Sequence, residues 1–285
     1  MTTTVANDIL EELRVGLISG DIVPYLGPGA LAGVTHKVTG KPIPADSDSL
    51  ILALNNGQPM APRLMYEFPR AAMNVELKRG RAAVTKFLTS TYDSDEWTES
   101  PLHAWLASLE PDYVIDINRD VQMQRLWSTR PHILVVGVAR ITGTAFRYKL
   151  YQHDGNAYSE VSNEGLDTSL PVLFKPHGTP WPQPDYIASD ADFVDYITEL
   201  MGGFSIPPFI KARRQAKRYL FLGMRLNRDT ARMVMSDIIY DCSTAPCGWI
   251  LLDEPTAKER RYCARIGLEI LEMSIGALMG ELATA

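Results

Sequence analysis

The sequence predicts an α/β protein built on a doubly wound, Rossmann-like and mostly parallel sheet. Three observations favour this fold class. Short apolar runs rich in β-branched residues alternate with amphipathic helical patterns, which is typical of βαβ units. At least five of the predicted strands end on Gly, Asn, Asp or His, as strands do at the ligand-binding edge of open α/β sheets. No internal repeat or composition shift is visible, so we expect a single domain over residues 1–285.

The first predicted strand is the apolar run from Ile22 to Leu26, which follows an amphipathic helix over residues 8–19. The loop Gly27-Pro28-Gly29 ends this strand. Without side chains, the backbone can approach an anion closely and point N–H groups at it. Gly33 completes a Gly-x-Gly-x-x-x-Gly pattern, a loose relative of the dinucleotide-binding fingerprint. Simple turn chemistry is the alternative interpretation.

The spacing of acidic residues after this loop does not favour a hydride-transfer dehydrogenase. An ordinary Rossmann unit carries an acidic residue about 20 positions on, at the tip of the second strand. Asp46 and Asp48 lie near that distance, but in a polar stretch that contains Pro and Ser. No apolar run precedes them, so they do not fit the tip of a strand.

Two stretches interrupt the alternation of strands and helices. Residues 36–104 begin with a Pro-containing loop and continue with Met, Leu and Phe at helical spacing, which predicts a small helical insert. Residues 128–162 carry apolar runs separated by short turns, including His153-Asp154-Gly155-Asn156. This pattern predicts a β-rich insert at the edge of the domain.

The other predicted elements continue the alternation. The predicted strands lie at 113–117, 170–174, 218–222 and 249–252, the predicted helices at 101–109, 190–201, 230–240 and 258–266, and a further strand or helix at 269–273.

Composition limits the partners that the protein can have. A net charge of −6 argues against a general nucleic-acid or anionic-membrane surface. The N-terminus shows no basic region followed by an apolar core, and no apolar run is long enough to span a bilayer. Cys242, Cys247 and Cys263 are too few for a zinc module and predict reduced thiols. We therefore expect a cytoplasmic protein that binds small molecules or protein partners.

Two polar side chains follow predicted strands directly. Asn118 follows the strand at 113–117, and His177 follows the strand at 170–174. Histidine is the usual general base near neutral pH, and an amide can orient a water or a hydroxyl group. Taken singly, His177 could be a structural hydrogen-bond partner and Asn118 could start a turn. Because the carboxyl ends of parallel strands share one edge, we expect both side chains to meet the glycine loop in one crevice.

Together these segments resemble the sirtuin-like, NAD-consuming family, and in particular its bacterial branch of NAD hydrolases in antiphage defence. The segment from Gly27 to Leu31 resembles the family's Gly-Ala-Gly-x-Ser loop, and Gly40-Lys41-Pro42 is similar to its Gly-x-Pro segment. The run from Asp116 to Asp120 resembles Thr-Thr-Asn-Tyr-Asp, and Lys175-Pro176-His177-Gly178 resembles Lys-Leu-His-Gly. The segment from Phe221 to Asp229 resembles Phe-x-Gly-x-Ser-x-x-Asp.

The resemblance implies an NAD site without a metal and gives the matching residues their roles. Asn118 would orient the attacking water or the ribose, and His177 would be the general base. The glycines after the first strand would line the pyrophosphate, and Asp120 would support the loop of Asn118. The implied cofactor-binding residues are Gly27, Pro28, Gly29, Ala30, Asn118, Asp120, Gly223, Met224, Arg225 and Asp253.

The reaction that the resemblance implies is hydrolysis of the nicotinamide–ribose bond of NAD to nicotinamide and ADP-ribose. Several positions depart from the family pattern: Leu31 replaces the loop serine, Arg119 an aromatic or aliphatic residue, and Met224-Arg225 a small polar pair. A catalytically silent protein that senses NAD or ADP-ribose, in regulation or assembly, is therefore the alternative. A zinc-free protein deacylase is less favoured. A protein partner or a homo-oligomer is expected, and the choice between NAD and NADP stays open.

Overall fold

A nine-stranded sheet forms the centre of the part of the chain that the computed structural model describes, which is residues 7–141, 146–239 and 247–284. Two further short strands, β7 and β8 below, pair with each other. In chain order the strands are β1 (Ile22–Leu26), β2 (Tyr113–Asp116), β3 (His132–Gly137), β4 (Tyr148–His153), β5 (Tyr158–Val161), β6 (Val172–Lys175), β7 (Gly178–Thr179), β8 (Asp185–Tyr186), β9 (Arg218–Leu222), β10 (Gly248–Leu251) and β11 (Leu268–Leu271).

The order of the strands confirms the predicted α/β fold with a doubly wound, mostly parallel sheet. The order is β11-β10-β9-β1-β2-β6-β3-β4-β5. All neighbours from β11 to β3 pair in parallel, whereas β4 and β5 pair antiparallel at one edge. From β1 the chain passes to β2 on one side, and β9 lies on the other side. This change of direction between β1 and β9 is a topological switch point, where open α/β sheets bind ligands.

Helices cover both faces of the sheet, and their ends carry clear sequence signals. Ser189 and Thr256 each begin a helix with a capping box, and Gly203 and Gly267 end the same two helices in the left-handed conformation. The helices are α1 (Asn7–Ser19), α2 (Ser47–Leu54), α3 (Phe68–Arg79), α4 (Arg81–Tyr92), α5 (Pro101–Ser108), α6 (Gln122–Leu126), α7 (Asp190–Gly202), α8 (Pro208–Arg213), α9 (Asp229–Ile238), α10 (Ala257–Ile266) and α11 (Ile275–Thr284).

The sheet separates two apolar cores because strand side chains alternate between its faces. Val23 and Tyr25 of β1 face the core that includes residues of α7 and α9. Ile22 and Leu26 of β1 face the core that includes residues of α1 and α5. A strand buried on both faces has an almost continuous apolar sequence, which is why the runs along β1, β2 and β9 are recognisable from sequence alone.

A third apolar core is formed mainly by residues 31–92 and contains side chains from α2, α3 and α4. Tyr186 of β8 packs into the same core and so connects these helices with the segment that follows β6. The strands β4 and β5 extend the sheet at its other end, whereas β3 pairs in parallel with β6. The division of the chain into one domain with inserts at 36–104 and 128–162 stays a prediction.

The cysteines correct one prediction. Cys247 is disulfide-bonded, so the expectation of reduced thiols is wrong there. An odd number of cysteines does not exclude a bond, because two can pair and leave one free. Cys263 is free and buried, and burial raises the pKa of its thiol to about 11; Cys242 lies outside the described residues. Among the helices described, none is long and apolar enough to cross a membrane.

Candidate functional site

A cavity of about 650 Å³ opens at the carboxyl ends of the parallel strands, next to the switch point between β1 and β9. This volume is within the usual range for small-molecule and cofactor sites. Residues that follow β1, β2, β6, β9, β10 and β11 line it on the sheet side. Residues of α2 and α3, including Ser47 and Phe68, line the opposite side.

Most of the residues predicted from sequence lie on the wall of this cavity. They are Pro28, Gly29, Asn118, His177, Gly223, Met224, Arg225 and Asp253. The structure thus brings together the glycine loop, the amide and the imidazole that sequence analysis expected to share a crevice. Gly27, Ala30 and Asp120 are buried and do not line the cavity. The implied roles of Gly27 and Ala30 in cofactor binding, and of Asp120 in supporting the loop of Asn118, stay predictions.

The N–H groups of Gly27 and Gly29 contact the end of β9 and the loop after it, whereas the sequence predicted that they face an anion. The N–H group of Gly27 donates to the carbonyl oxygen of Leu222 at 2.9 Å, and that of Gly29 donates to the carbonyl oxygen of Gly223 at 2.8 Å. A Cβ atom at Gly29 would lie 2.8 Å from the Cα atom of Gly223. The glycines therefore let the loop after β1 lie against the loop after β9. Their N–H groups are used in that contact, so they do not point at an anion in the cavity.

The side chain of Asn118 is held in one orientation. Its Nδ2 atom donates to the carbonyl oxygen of Gly27 and to Oδ1 of Asp116, both at 2.9 Å. Because both partners can only accept hydrogen bonds, they determine which end of the amide is nitrogen. The amide oxygen of Asn118 is the atom left for a ligand. It can accept a hydrogen bond from a hydroxyl group or a water molecule in the cavity.

Asp116, which orients Asn118, belongs to a buried ion pair. Its Oδ2 atom lies 2.7 Å from Nζ of Lys175 and 3.6 Å from Nε2 of His103. Burial alone would raise the pKa of Asp116, but the charge of Lys175 and the contact with His103 lower it far below its usual range. His103, Asp116 and Asp120 offer ligand atoms within 4.8 Å of one another. The ammonium group of Lys175 already supplies the positive charge at this cluster.

His177 lines the cavity, and one of its ring nitrogens is buried and unpaired within the described structure. The ring stacks edge-on against Phe193, with 5.2 Å between the centroids, and hydrogen-bonds to the backbone of Ile117. Its Nε2 atom has no hydrogen-bond partner among the described residues, so Nδ1 makes the backbone bond. Burial and the neighbouring charge of Arg119 lower the pKa of His177 to about 3. At neutral pH the imidazole is uncharged, and Nε2 can accept a proton.

The comparison with known families agrees with this site. Residues 141–271, slightly less than half of the chain, match the family model of the SIR2-like domain. This part of the chain is similar to the SIR2-like domain. SIR2-like domains bind NAD, which agrees with the cofactor expected from sequence. A search of curated proteins found no match to the chain.

The matched segment holds only part of the residues that line the cavity. His177, Gly223 and Asp253 lie within residues 141–271, whereas Gly29 and Asn118 precede them. All five positions line the same cavity. The cavity is therefore lined both by the segment that matches the family model and by the residues that follow β1 and β2.

Three arginines line the cavity and differ in their partners. Arg225, one of the implied cofactor-binding residues, places its Nε atom 3.0 Å from Oε1 of the buried Glu259. Arg228 lies 3.8 Å from Asp48. Arg119 departs from the family pattern, and an arginine there is compatible with nucleotide binding or could fill the pocket. It is not among the implied cofactor-binding residues, but it lines the cavity and is 7% exposed.

Acidic residues from the helical region are a second group that sequence analysis did not place in the site. Asp46, Asp48 and Glu67 line the cavity. Asp46 also begins α2, since its side chain accepts a hydrogen bond from the N–H group of Ser49. The sequence signal for Asp46 and Asp48 was their distance from the glycine loop. This distance did not assign Asp46 and Asp48 to the site, because both lie at the start of α2 and not at the tip of a strand.

We expect the burial of His177 to make the protein sensitive to acid. The pKa of His177 is about 3 in the folded protein against 6.5 for the free side chain. Between these values the unfolded chain binds a proton that the folded state does not, so stability falls as pH drops below 6.5. From pH 7 to pH 5 the loss is on the order of 2 kcal/mol. Urea denaturation of wild type and His177→Gln measures it, and equal pH dependence in both would contradict it.

Proposed function

We propose that this chain hydrolyses NAD at the nicotinamide–ribose bond, giving nicotinamide and ADP-ribose. The observation that carries the proposal is the shared cavity of Asn118 and His177 at the switch point of a sirtuin-like domain. One group is a fixed amide oxygen and the other an uncharged imidazole with a free Nε2 atom. These are the parts that activation of a water molecule requires.

In the proposed reaction the C1′–N bond to nicotinamide breaks, and nicotinamide leaves with the electron pair. Positive charge then develops on the ribose, as in other glycosidic transition states. The oxygen atom of a water molecule forms the new bond to C1′, and Nε2 of His177 takes up the proton of that water. The amide oxygen of Asn118 orients the water or a ribose hydroxyl group. Because Asn118 is held at two points, it needs no reorganisation during the reaction.

Nicotinamide release from purified protein incubated with NAD tests this proposal. We expect the rate to fall about 100-fold or more in His177→Gln and in Asn118→Ala, since each variant removes a group that acts on the water. His36→Gln is the matched control, because His36 pairs with Glu96 away from the cavity. Release that survives both substitutions at the wild-type rate would contradict the proposal.

The low basicity of His177 supports a second function. A histidine whose pKa is about 3 is a weak base, and Arg119 adds a positive charge beside it. The protein could then bind NAD or ADP-ribose as a sensor without cleaving it. Calorimetric binding of NAD without nicotinamide release, with and without candidate protein partners, would favour this function over hydrolysis.

Four finer assignments stay predictions. They are membership of the bacterial antiphage-defence branch, a cytoplasmic location, assembly with a protein partner or into a homo-oligomer, and a preference for NAD over NADP. A zinc-free deacylase is the least favoured activity, and robust deacylation of acylated peptides would support it against hydrolysis.

A further inference from the structure

Arg119 is a buried guanidinium group on the wall of the cavity. It is 7% exposed, and its Nη2 group donates to the carbonyl oxygen of Ile187. The guanidinium carbon lies 5.4 Å from the centroid of the Phe68 ring. Its Nε–H group has no hydrogen-bond partner among the residues described. A side chain that lines a site able to hold a ligand thus keeps a strong, buried donor without a partner in the described part of the chain.

The charge of Arg119 also lacks a direct counterion in the described structure, because the nearby carboxylate of Asp192, which opposes the lowering of the Arg119 pKa by burial, is itself paired with Arg81 and Arg140. Within the described residues, no carboxylate lies within 4.0 Å of its guanidinium nitrogens. Other arginines in the same region are paired: Arg225 with Glu259, and Arg140 with Asp192. Lys175, another buried cation, is paired with Asp116. An uncompensated buried charge is costly, so the cavity is complementary to a ligand that brings a negative charge.

We propose that Arg119 binds an anionic oxygen group of the ligand, a carboxylate or a phosphate, beside His177. This inference rests on the proposed function only in that it uses the same cavity. The planar guanidinium suits such groups because it can donate two parallel hydrogen bonds to two oxygens. Neutralising Arg119 also removes one cause of the low basicity of His177. Binding of the anion therefore makes His177 a stronger base at the moment when substrate is present.

Two parts of a pyridine dinucleotide could supply the anion. One is the pyrophosphate, which NAD, nicotinic acid adenine dinucleotide and ADP-ribose share. The other is the carboxylate of the nicotinate ring, which only nicotinic acid adenine dinucleotide carries. Inorganic pyrophosphate provides the same anion without a nucleoside. Comparison of these four probes therefore separates the two sources.

The experiment measures the dissociation constants of the four probes by calorimetry for wild type, Arg119→Gln and Arg119→Lys. If the pyrophosphate is the source, Arg119→Gln weakens all three nucleotides about 10-fold or more. If the carboxylate is the source, only nicotinic acid adenine dinucleotide loses affinity. Arg119→Lys restores part of the loss in either case, because it keeps the charge. Arg125→Gln is the control, since Arg125 is bonded to Ser94 and Asp95 outside the cavity.

Thermal denaturation of the ligand-free variants gives a second measurement. Removal of an uncompensated buried charge should leave the melting temperature of Arg119→Gln unchanged or raise it. A sharp fall would mean that Arg119 is needed for folding and would overturn the proposal. Unchanged affinity for every probe in Arg119→Gln would overturn it as well, and so would a wild type that binds none of the four probes. If the wild type binds the probes through Arg119 but releases no nicotinamide from NAD, only the proposed hydrolysis is contradicted.

Discussion

Lys175→Met is expected to lower the free energy of unfolding by about 3–5 kcal/mol. The substitution keeps most of the side-chain volume but removes the only ammonium group close to Oδ2 of Asp116 in the described structure, at 2.7 Å. Asp116 is fully buried and would keep a charge without its main counterion. Leaving one member of a buried ion pair unpaired costs far more than the pair itself contributes.

Urea denaturation at pH 7 measures this loss of stability. A double variant and a surface control show whether the loss comes from the unpaired charge. The double variant Asp116→Asn with Lys175→Met removes both charges and should recover most of the lost stability. Lys149→Met is the surface control, because Lys149 makes a partly exposed pair with Asp185 at 2.8 Å and should cost less than about 1 kcal/mol. A cost below 1 kcal/mol for Lys175→Met would show that Asp116 does not depend on this lysine.

The pH dependence of Lys175→Met has a definite sign. In this variant the buried carboxyl of Asp116 binds a proton more readily than it does in the unfolded chain. The folded variant therefore binds more protons than the unfolded one, and its stability falls as pH rises. The difference in stability between wild type and variant should be larger at pH 8 than at pH 5. The opposite trend would contradict the assignment of the loss to Asp116.

The same ion pair connects stability with the proposed reaction. Oδ1 of Asp116 accepts hydrogen bonds from the backbone and the side chain of Asn118, while Oδ2 faces Lys175. Lys175 is not among the described residues that line the cavity, so it is a positioning residue. The geometry of the amide thus depends on a buried charge that lies outside the cavity wall.

The sheet was predictable in detail because its strands are buried on both faces. The predicted bounds of β1 and β9 agree with the structure, Ile22–Leu26 and Arg218–Leu222. Elements without a periodic pattern were not predicted. The helix α6 has only five residues, and β7 and β8 have two each. The helix α11 contains Gly276 and Gly280, which have low helix propensity.

The placement of a site residue was predictable only where the residue directly follows a strand of the parallel sheet. Asn118 and His177 follow strands of a parallel sheet, so their meeting at one edge follows from the topology. The roles of Gly27 and Arg119 depend on partners distant in sequence, the loop after β9 and the segment around Ile187. No local pattern encodes these contacts. The N–H groups of a glycine loop can equally well meet a phosphate or another loop, and only the structure distinguishes these possibilities.

Gly223→Ala is expected to cost roughly 2–5 kcal/mol because two penalties add. The residue has φ of +69°, which disfavours a side chain. Its Cβ atom would also lie 2.7 Å from the Cα atom of Gly29 and still closer to the backbone nitrogen of Ala30. These are backbone atoms of the loop after β1, which cannot move aside as a flexible side chain would. The two loops should therefore separate at the switch point.

Gly40→Ala is the matched control for this contact. Gly40 has nearly the same φ, +67°, but no atom lies within 4 Å of the position of its Cβ atom. It should lose only the backbone preference, about 1–2 kcal/mol. The difference between the two variants in urea denaturation then measures the packing of the two loops. Affinity for NAD should fall only in Gly223→Ala, because Gly29 and Gly223 both line the cavity. Equal costs for the two variants would mean that the loops adjust freely and that the shape of the cavity does not depend on their contact.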